Sequence, residues 1–338
     1  MSPIRQAALA ATTALIAAGA LAPAALAATP PTTTTPTTTA PAPPPVRGAA
    51  TLSLPGIFVV DHNAVTVPGR RVSVTGSVRP YVAGQWVEVR SYLGRRLIKR
   101  DRLRIKPSSG GRYGTFTEQL KSPGSGTVVV KMQHAATATQ TAFSATRRFA
   151  ALDEHVGNGS TGRFVQLIQQ RLAALHFYLP QSGVYDSYTD WALDAYHRLL
   201  GWGTSTQLDG RTISYLLDGY GQFVVKFPHQ GRHAEGDLSH QVLALADGSK
   251  VQYIFPISSG KPSTPTILGS FQVYQRTPGY LPDGMYYSDF FIRGYAIHGY
   301  DPSPDYPASH GCMRLPIQDA IFVFNWMNYG DWVDTYYR

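Results

Sequence analysis

The stretch Ser309-His310-Gly311-Cys312-Met313-Arg314 holds the only cysteine of the 338-residue chain. A second stretch, Ile297-His298-Gly299, supplies another histidine shortly before it. An exported protein that used cysteine for stability would carry an even number of cysteines for disulfide bonds. One thiol flanked by histidines instead indicates chemistry. Cys312 is therefore the best candidate nucleophile in the sequence.

A thiol attacks a carbonyl carbon as the thiolate, so the site needs a base or a positive field near the sulfur. His298 and His310 are both candidates. His298 is the better general base, because it comes from a different strand and can approach the sulfur across a sheet. The Gly299 carbonyl can accept the other ring proton and fix the tautomer. The amides of Gly311 and Cys312 are candidate oxyanion donors.

These residues carry a resemblance to a known family. Ile297-His298-Gly299 followed by Ser309-His310-Gly311-Cys312-Met313-Arg314-Leu315 resembles the signature of the L,D-transpeptidase catalytic domain of bacterial cell-wall cross-linking enzymes. Upstream, Ser258-Ser259-Gly260-Lys261-Pro262 and Gly269-Ser270-Phe271 are similar to the family's second conserved stretch. The resemblance implies a mostly-β catalytic domain over residues 220–338.

The same resemblance implies a two-step acyl transfer on peptidoglycan. Cys312 attacks a tetrapeptide stem, expels D-alanine and holds the stem as a thioester, while His298 takes the thiol proton. An amine of an acceptor stem then forms a 3-3 cross-link, or water gives carboxypeptidation. Arg314 supports the site and meets a substrate carboxylate, while Ser309 and His310 shape the loop. No cofactor or metal is implied, and inhibition by carbapenems is expected.

The N-terminus predicts export to the periplasm or cell wall. Arg5, the apolar residues 7–22 and Ala25-Leu26-Ala27 are typical of a signal peptide over residues 1–27. Residues 28–47 are mostly Thr, Pro and Ala, which predicts an extended linker.

Residues 48–150 predict an immunoglobulin-like β-sandwich. Residues 71–78, 85–90 and 127–132 alternate between apolar and polar side chains, and Gly and Pro separate these runs. The segment also carries a concentration of basic side chains between Arg95 and Lys106. These form either a surface that contacts the wall or a solvated strand face, and the second interpretation is favoured.

Residues 155–219 predict three helices. Apolar side chains recur at helical spacing from Phe164 to Leu175, and turns at Gly183–Asp186 and Leu208–Gly210 precede two more helical segments. This order resembles a peptidoglycan-binding domain. An inert helical spacer is the alternative interpretation.

Within residues 220–338 the pattern predicts strands and one clear helix. The strands are expected at 223–227, 241–245, 250–255 and 269–274, with a hairpin turn at Asp247-Gly248, and the helix at 319–327.

The formal net charge of +9 indicates attraction to polyanions, for which an anionic cell wall is the expected partner. Nucleic acid is excluded as the expected partner, because no helix-turn-helix, zinc or basic-aromatic pattern accompanies the charge.

Three other interpretations fit the sequence less well. A zinc site built from His298, His310 and Cys312 lacks a further ligand at metal-binding spacing. A sortase-like enzyme shares the order His, Cys, Arg but places its cysteine after a different strand motif. A non-catalytic wall-binding scaffold would have no use for both His298 and Cys312. The L,D-transpeptidase hypothesis is therefore the leading one.

Overall fold

The computed structural model describes residues 42–338. The predicted signal peptide and most of the predicted linker lie outside the described residues. Within the part that is described, no helix is both long and apolar enough to cross a membrane.

The first segment is made of strands. Alternating residues in these strands, such as Val72 and Val74, point into one buried apolar cluster between two sheets. One sheet has the order β1-β4-β8-β7 and the other the order β2-β3-β10-β9-β5-β6. The immunoglobulin-like class of this segment stays a prediction. The strands are β1 (Ala49–Ser53), β2 (Phe58–Val60), β3 (Asn63–Thr66), β4 (Arg71–Arg79), β5 (Trp86–Leu93), β6 (Arg96–Arg104), β7 (Lys106–Pro107), β8 (Gly114–Lys121), β9 (Gly126–His134) and β10 (Phe143–Ala151).

Three helices follow: α1 (Arg163–Ala174), α2 (Ser187–Leu199) and α3 (Gly210–Asp218). The two turns read from the sequence supply their caps. Asp186 accepts a hydrogen bond from the Thr189 amide, and Asp209 accepts one from the Thr212 amide. Each bond satisfies an amide that the helix itself leaves without an acceptor. We call residues 155–219 the helical module; its peptidoglycan-binding character stays a prediction.

The last segment is mostly β, as predicted. One sheet has the order β13-β12-β11-β19-β14 and the other the order β15-β16-β17-β18. A single turn of 3-10 helix, Ile317–Asp319, leads into helix α4. The elements are β11 (Arg232–Asp237), β12 (Val242–Asp247), β13 (Lys250–Pro256), β14 (Gly269–Gln272), β15 (Gln275–Tyr280), β16 (Tyr286–Ile292), β17 (Tyr295–Tyr300), β18 (Met313–Pro316), α4 (Ala320–Trp326) and β19 (Trp332–Tyr336).

The prediction of a strand at residues 223–227 is wrong. The amides of Lys226 and Phe227 donate to the Glu235 carboxylate, with N–O distances of 2.8 Å each, and not to a neighbouring strand. Val224 is largely exposed. The buried Glu235 carboxylate needs hydrogen-bond donors and takes these two amides, so they do not pair with a strand. The apolar pattern of the sequence does not reveal this contact.

The helical module packs against both of its neighbours. One buried cluster combines Val65 of β3, Leu172 of α1 and Ile254 of β13. The chain after α1 also pairs with β13, since the Ile254 amide donates to the His176 carbonyl and the Tyr178 amide donates to the Ile254 carbonyl. The module that precedes the last segment is thereby fixed to the sheet next to the candidate site.

Candidate active site

Two parallel strands bring the two sequence motifs together. Strand β17 pairs with β18 so that His298 lies opposite Arg314, and Cys312 directly precedes β18. Evenly spaced hydrogen bonds in a parallel pair fix this register. The fold therefore places His298 beside the segment that holds the thiol.

His298 is buried and neutral. Its Nδ1 lies 2.8 Å from the Gly299 carbonyl oxygen, which can only accept, so Nδ1 carries the proton and Nε2 keeps its lone pair. Burial lowers the pKa of His298 to about 4; the Gly299 hydrogen bond opposes this shift, and the positive charge of Arg314 adds to it. The ring is therefore available as a base at neutral pH.

The Cys312 thiol is half-buried and protonated at rest. The Ala296 amide donates to Sγ at 3.4 Å, and Sγ lies 3.9 Å from the Gly294 carbonyl oxygen. Between residues 42 and 338 these are its two hydrogen-bonding contacts, and the His298 ring makes none with it. Burial raises the pKa of the Cys312 thiol, while the Ala296 amide and Arg314 act in the opposite direction. At rest the two candidate residues are thus a neutral thiol and a neutral imidazole.

Ser309 holds residues 309–312, which we call the Cys312 loop. Its hydroxyl donates to the Cys312 carbonyl at 2.7 Å and accepts from the Gly311 amide at 3.0 Å. The Gly311 amide is therefore engaged at rest, and its role as an oxyanion donor stays a prediction. For the Cys312 amide no acceptor is found among the residues that the structure describes. This amide is the remaining backbone candidate for that role.

Two glycines are required by close packing. Gly311 has a φ of +122°, and a Cβ at this position would lie 2.5 Å from a ring carbon of Tyr295. At Gly299 a Cβ would lie 2.6 Å from the Ala320 Cβ, so only glycine lets helix α4 approach strand β17. Both glycines therefore let a neighbouring residue lie close against the backbone of the site.

The positive side chains around the thiol occupy different positions. The Arg314 guanidinium stacks over the Tyr300 ring at 3.9 Å, and its Nη1 donates to the Ala308 carbonyl at 3.5 Å. His310 is exposed, and its Nε2 lies 3.2 Å from Lys261 Nζ. His310 therefore faces outward next to a lysine, whereas Arg314 is held beside His298.

Several residues that contact the site carry no mark in the sequence pattern. Gly294 and Ala296 contact the thiol, and Tyr295 covers Gly311. Tyr295 and Ala296 begin strand β17, which carries His298, and Gly294 directly precedes it. Their nearness in the chain to His298 is the signal that points to them. Among residues 42–338, no group of three His, Cys, Asp or Glu side chains is placed to hold a metal ion.

Comparisons with known proteins agree with this geometry. Residues 231–334 match the family model of the L,D-transpeptidase catalytic domain. A search of curated proteins found no match.

Solved structures of L,D-transpeptidases are also similar to the chain. One from Xylanimonas cellulosilytica is 29% identical, with 55% of this chain and 98% of that chain covered and a TM-score of 0.49. A catalytic domain from E. faecium is 27% identical, with 32% and 98% covered and a TM-score of 0.29. An enzyme from Mycobacterium smegmatis is 12% identical, with 84% and 99% covered and a TM-score of 0.28.

These TM-scores lie below 0.5, so the similarity rests on the family model. The matched segment contains both His298 and Cys312. Residues 231–334 of this chain are thus similar to the L,D-transpeptidase catalytic domain.

Proposed function

We propose that this protein is an exported L,D-transpeptidase that forms 3-3 cross-links in peptidoglycan through a thioester on Cys312. The observation that carries the proposal is the pairing of β17 with β18. It sets His298 beside the Cys312 loop with its Nδ1 committed to the Gly299 carbonyl and its Nε2 basic.

The first step forms the acyl-enzyme. The Cys312 sulfur attacks the carbonyl carbon before the terminal D-alanine of a donor tetrapeptide, and His298 Nε2 accepts the thiol proton. The tetrahedral oxyanion accepts a hydrogen bond from the Cys312 amide. The amide C–N bond then breaks, the imidazolium returns its proton to the nitrogen, and D-alanine leaves.

The second step transfers the acyl group. The side-chain amine of an acceptor stem attacks the thioester, and His298 takes a proton from this amine. The C–S bond breaks, the proton returns to sulfur, and a new amide joins the two stems. Water in place of the amine gives carboxypeptidation, which is the secondary activity that we propose.

Both partners of the proposed proton transfer are neutral at rest. An ion pair of thiolate and imidazolium is not favoured here, because burial lowers the pKa of His298 and raises that of Cys312. Substrate must therefore bring the thiol from its contact with Gly294 toward His298. Hydrogen bonds of this kind often align only in the substrate complex.

The segments before the catalytic domain are proposed to bind the enzyme to the cell wall. The helical module is proposed to bind peptidoglycan, and the net charge of +9 favours an anionic wall surface. Arg314 is proposed to meet a substrate carboxylate, for which its planar donor fork is suited. Full-length protein should therefore remain bound to insoluble peptidoglycan when the Cys312→Ala substitution removes turnover.

The deciding experiment measures the intact mass of the protein after incubation with a carbapenem. Sulfur attack on the β-lactam carbonyl opens the ring, so the adduct retains the whole mass of the drug. We expect this adduct in wild type and none in Cys312→Ala. A wild type without an adduct at any pH would remove the proposal. Mass spectrometry of muropeptides then separates cross-linking from hydrolysis.

A further inference from the structure

We propose that Arg198, in helix α2 of the helical module, is a positioning residue for the Cys312 loop. The inference rests on the proposed function, because it takes Cys312 as the nucleophile. It adds a role in catalysis for a residue outside the segment that matches the catalytic family.

Arg198 reaches from the helical module into the catalytic domain. Its side chain is almost fully buried, and its Nη1 donates to the Ile257 carbonyl at 2.9 Å and to the Gln241 carbonyl at 3.3 Å. Its Nη2 lies 2.5 Å from Asp194 Oδ2 of the same helix. One planar guanidinium thus holds two carbonyls of the neighbouring domain and is neutralised by a carboxylate.

The two carbonyls belong to a short hydrogen-bonded unit. The Ile257 amide donates to the Gln241 carbonyl at 2.9 Å. The Gln241 side chain bonds to Ser259 twice, accepting from its amide at 2.9 Å and donating to its hydroxyl at 2.8 Å. Arg198 therefore contacts the unit that holds residues 257–259 in place.

Residues 258 and 259 in turn hold both ends of the segment that contains the thiol. Ser258 and Arg314 exchange two backbone hydrogen bonds of 2.9 and 3.0 Å. The Ser259 carbonyl accepts from the Ala308 and Ser309 amides, at 2.9 Å each. Ser309 then bonds to the Cys312 carbonyl. Every link from Arg198 to Cys312 is a hydrogen bond or a short run of peptide units.

Stability alone is a weak reason for such an arrangement. Replacing a buried ion pair with apolar side chains of similar volume is often neutral or stabilising. What the guanidinium adds is direction, because the two N–H groups of Nη1 lie in a rigid plane and point at the Ile257 and Gln241 carbonyls. Since a displacement of about 1 Å at reacting atoms can cost about 100-fold in rate, loss of this hold reaches the chemistry.

The test uses the full chain and three variants of this contact: Arg198→Met, Arg198→Lys and Asp194→Asn. Arg171→Met is the matched control, because Arg171 of α1 contacts the Leu216 carbonyl and the Phe58 ring but no part of the catalytic domain. Circular dichroism and thermal melts select temperatures at which all proteins are folded. The rate constant of Cys312 acylation by a carbapenem and the concentration for half-maximal rate are then measured by intact mass.

We expect Arg198→Met to lower the acylation rate constant about 10- to 100-fold, with little change in half-saturation. Arg198→Lys should recover part of the rate, and Arg171→Met should react as wild type does. A folded Arg198→Met that acylates at the wild-type rate, or a loss equal to that of Arg171→Met, would overturn the inference. If Arg198→Met does not fold, Arg198→Lys and Asp194→Asn decide by the same criterion.

A second readout separates this inference from the proposed function. Because Cys312 is the only cysteine, alkylation by iodoacetamide reports on its thiol alone. A wild type that never reacts with carbapenem removes the proposed function, and the pH profile of alkylation then decides the inference. We expect Arg198→Met to shift the midpoint toward the ordinary thiol value as water reaches the loosened loop. An unchanged midpoint would overturn it.

Discussion

Strands β11 and β17 each contain a buried histidine. The two rings have the same kind of Nδ1 partner and differ in their Nε2 partner. His233 and His298 both place Nδ1 at hydrogen-bonding distance from a backbone carbonyl, that of Gly231 at 2.7 Å and that of Gly299 at 2.8 Å. His233 Nε2 faces the Glu235 carboxylate at 3.2 Å, whereas His298 has no carboxylate partner in the described structure.

This difference sets their protonation. Burial alone would lower the pKa of His233, but the Glu235 and Gly231 contacts outweigh it and the net pKa is raised. Burial lowers the pKa of His298 to about 4, and nothing reverses it. A buried histidine with a carboxylate becomes part of a structural ion pair, and one without a carboxylate stays a base.

The largest effect is expected from His298→Gln. Loss of the base should lower the acylation rate about 10²- to 10⁴-fold, because a positioned proton acceptor contributes about that factor. The glutamine amide can still donate to the Gly299 carbonyl, so thermal stability should change little. Stopped-flow or intact-mass acylation rates measure the effect. His233→Gln is the control and should show the reverse: lower stability with a rate near that of wild type.

Glu235→Gln should act on stability. The Glu235 carboxylate accepts from two backbone amides, the Tyr336 hydroxyl and His233. Breaking a buried charge pair costs about 3 kcal/mol or more. Urea unfolding at pH 7 should show this loss, while the acylation rate of the folded variant stays within about twofold of wild type. A large loss of acylation rate at unchanged stability would mean that the region around His233 acts in catalysis and not in stability.

The pH dependence of unfolding should carry the signature of His298. Its folded pKa of about 4 lies below the unfolded value of 6.5, so its contribution to stability is full above pH 6.5 and is lost as pH falls toward 4. Between pH 7 and 4.5 the loss should be about 2 kcal/mol. Urea unfolding at both pH values, compared with His298→Gln, isolates this contribution; an equal loss in the variant would contradict it.

The acylation rate, unlike the free energy of unfolding, should change little over this pH range. A base that stays neutral down to about pH 4 predicts little change in rate between pH 7 and pH 5. A rate that falls to half near pH 6.5 would show that His298 has the ordinary pKa of a histidine, which would contradict its burial.

The smallest effect is expected from His310→Ala. This ring is exposed and pairs with Lys261 at the surface, where such contacts contribute about 1 kcal/mol or less. The acylation rate should therefore fall by less than about fivefold. A larger loss would mean that His310 contacts the substrate. His310 would then count, with His298, among the histidines that act in the reaction.

Local patterns point to candidate site residues where the chemistry is local. A lone thiol, the Gly299 carbonyl next to His298 and the glycine at Gly311 can all be read from neighbours in the chain. The turn residues Asp186 and Asp209 likewise predicted where helices begin, because a cap is made within three residues.

The sequence pattern did not show where a side chain takes up a backbone amide. The segment at 223–227 is no strand because Glu235 accepts from the Lys226 and Phe227 amides, and the Gly311 amide is engaged at rest because the Ser309 hydroxyl accepts from it. No period in the sequence marks Arg198 as a neighbour of Gln241 and Ile257, since the contact joins a helix of one module to the backbone of another.

The sequence by itself determined the candidate nucleophile, the candidate base and the mostly-β last segment, because residue chemistry and short-range alternation carry that information. Only the tertiary structure decided that His298 is neutral and His233 is paired, that the resting thiol turns toward Gly294, and that Arg198 of the helical module contacts the Gln241 and Ile257 carbonyls. The reason is physical: burial shifts a pKa, and the residues that bury a side chain come from distant parts of the chain.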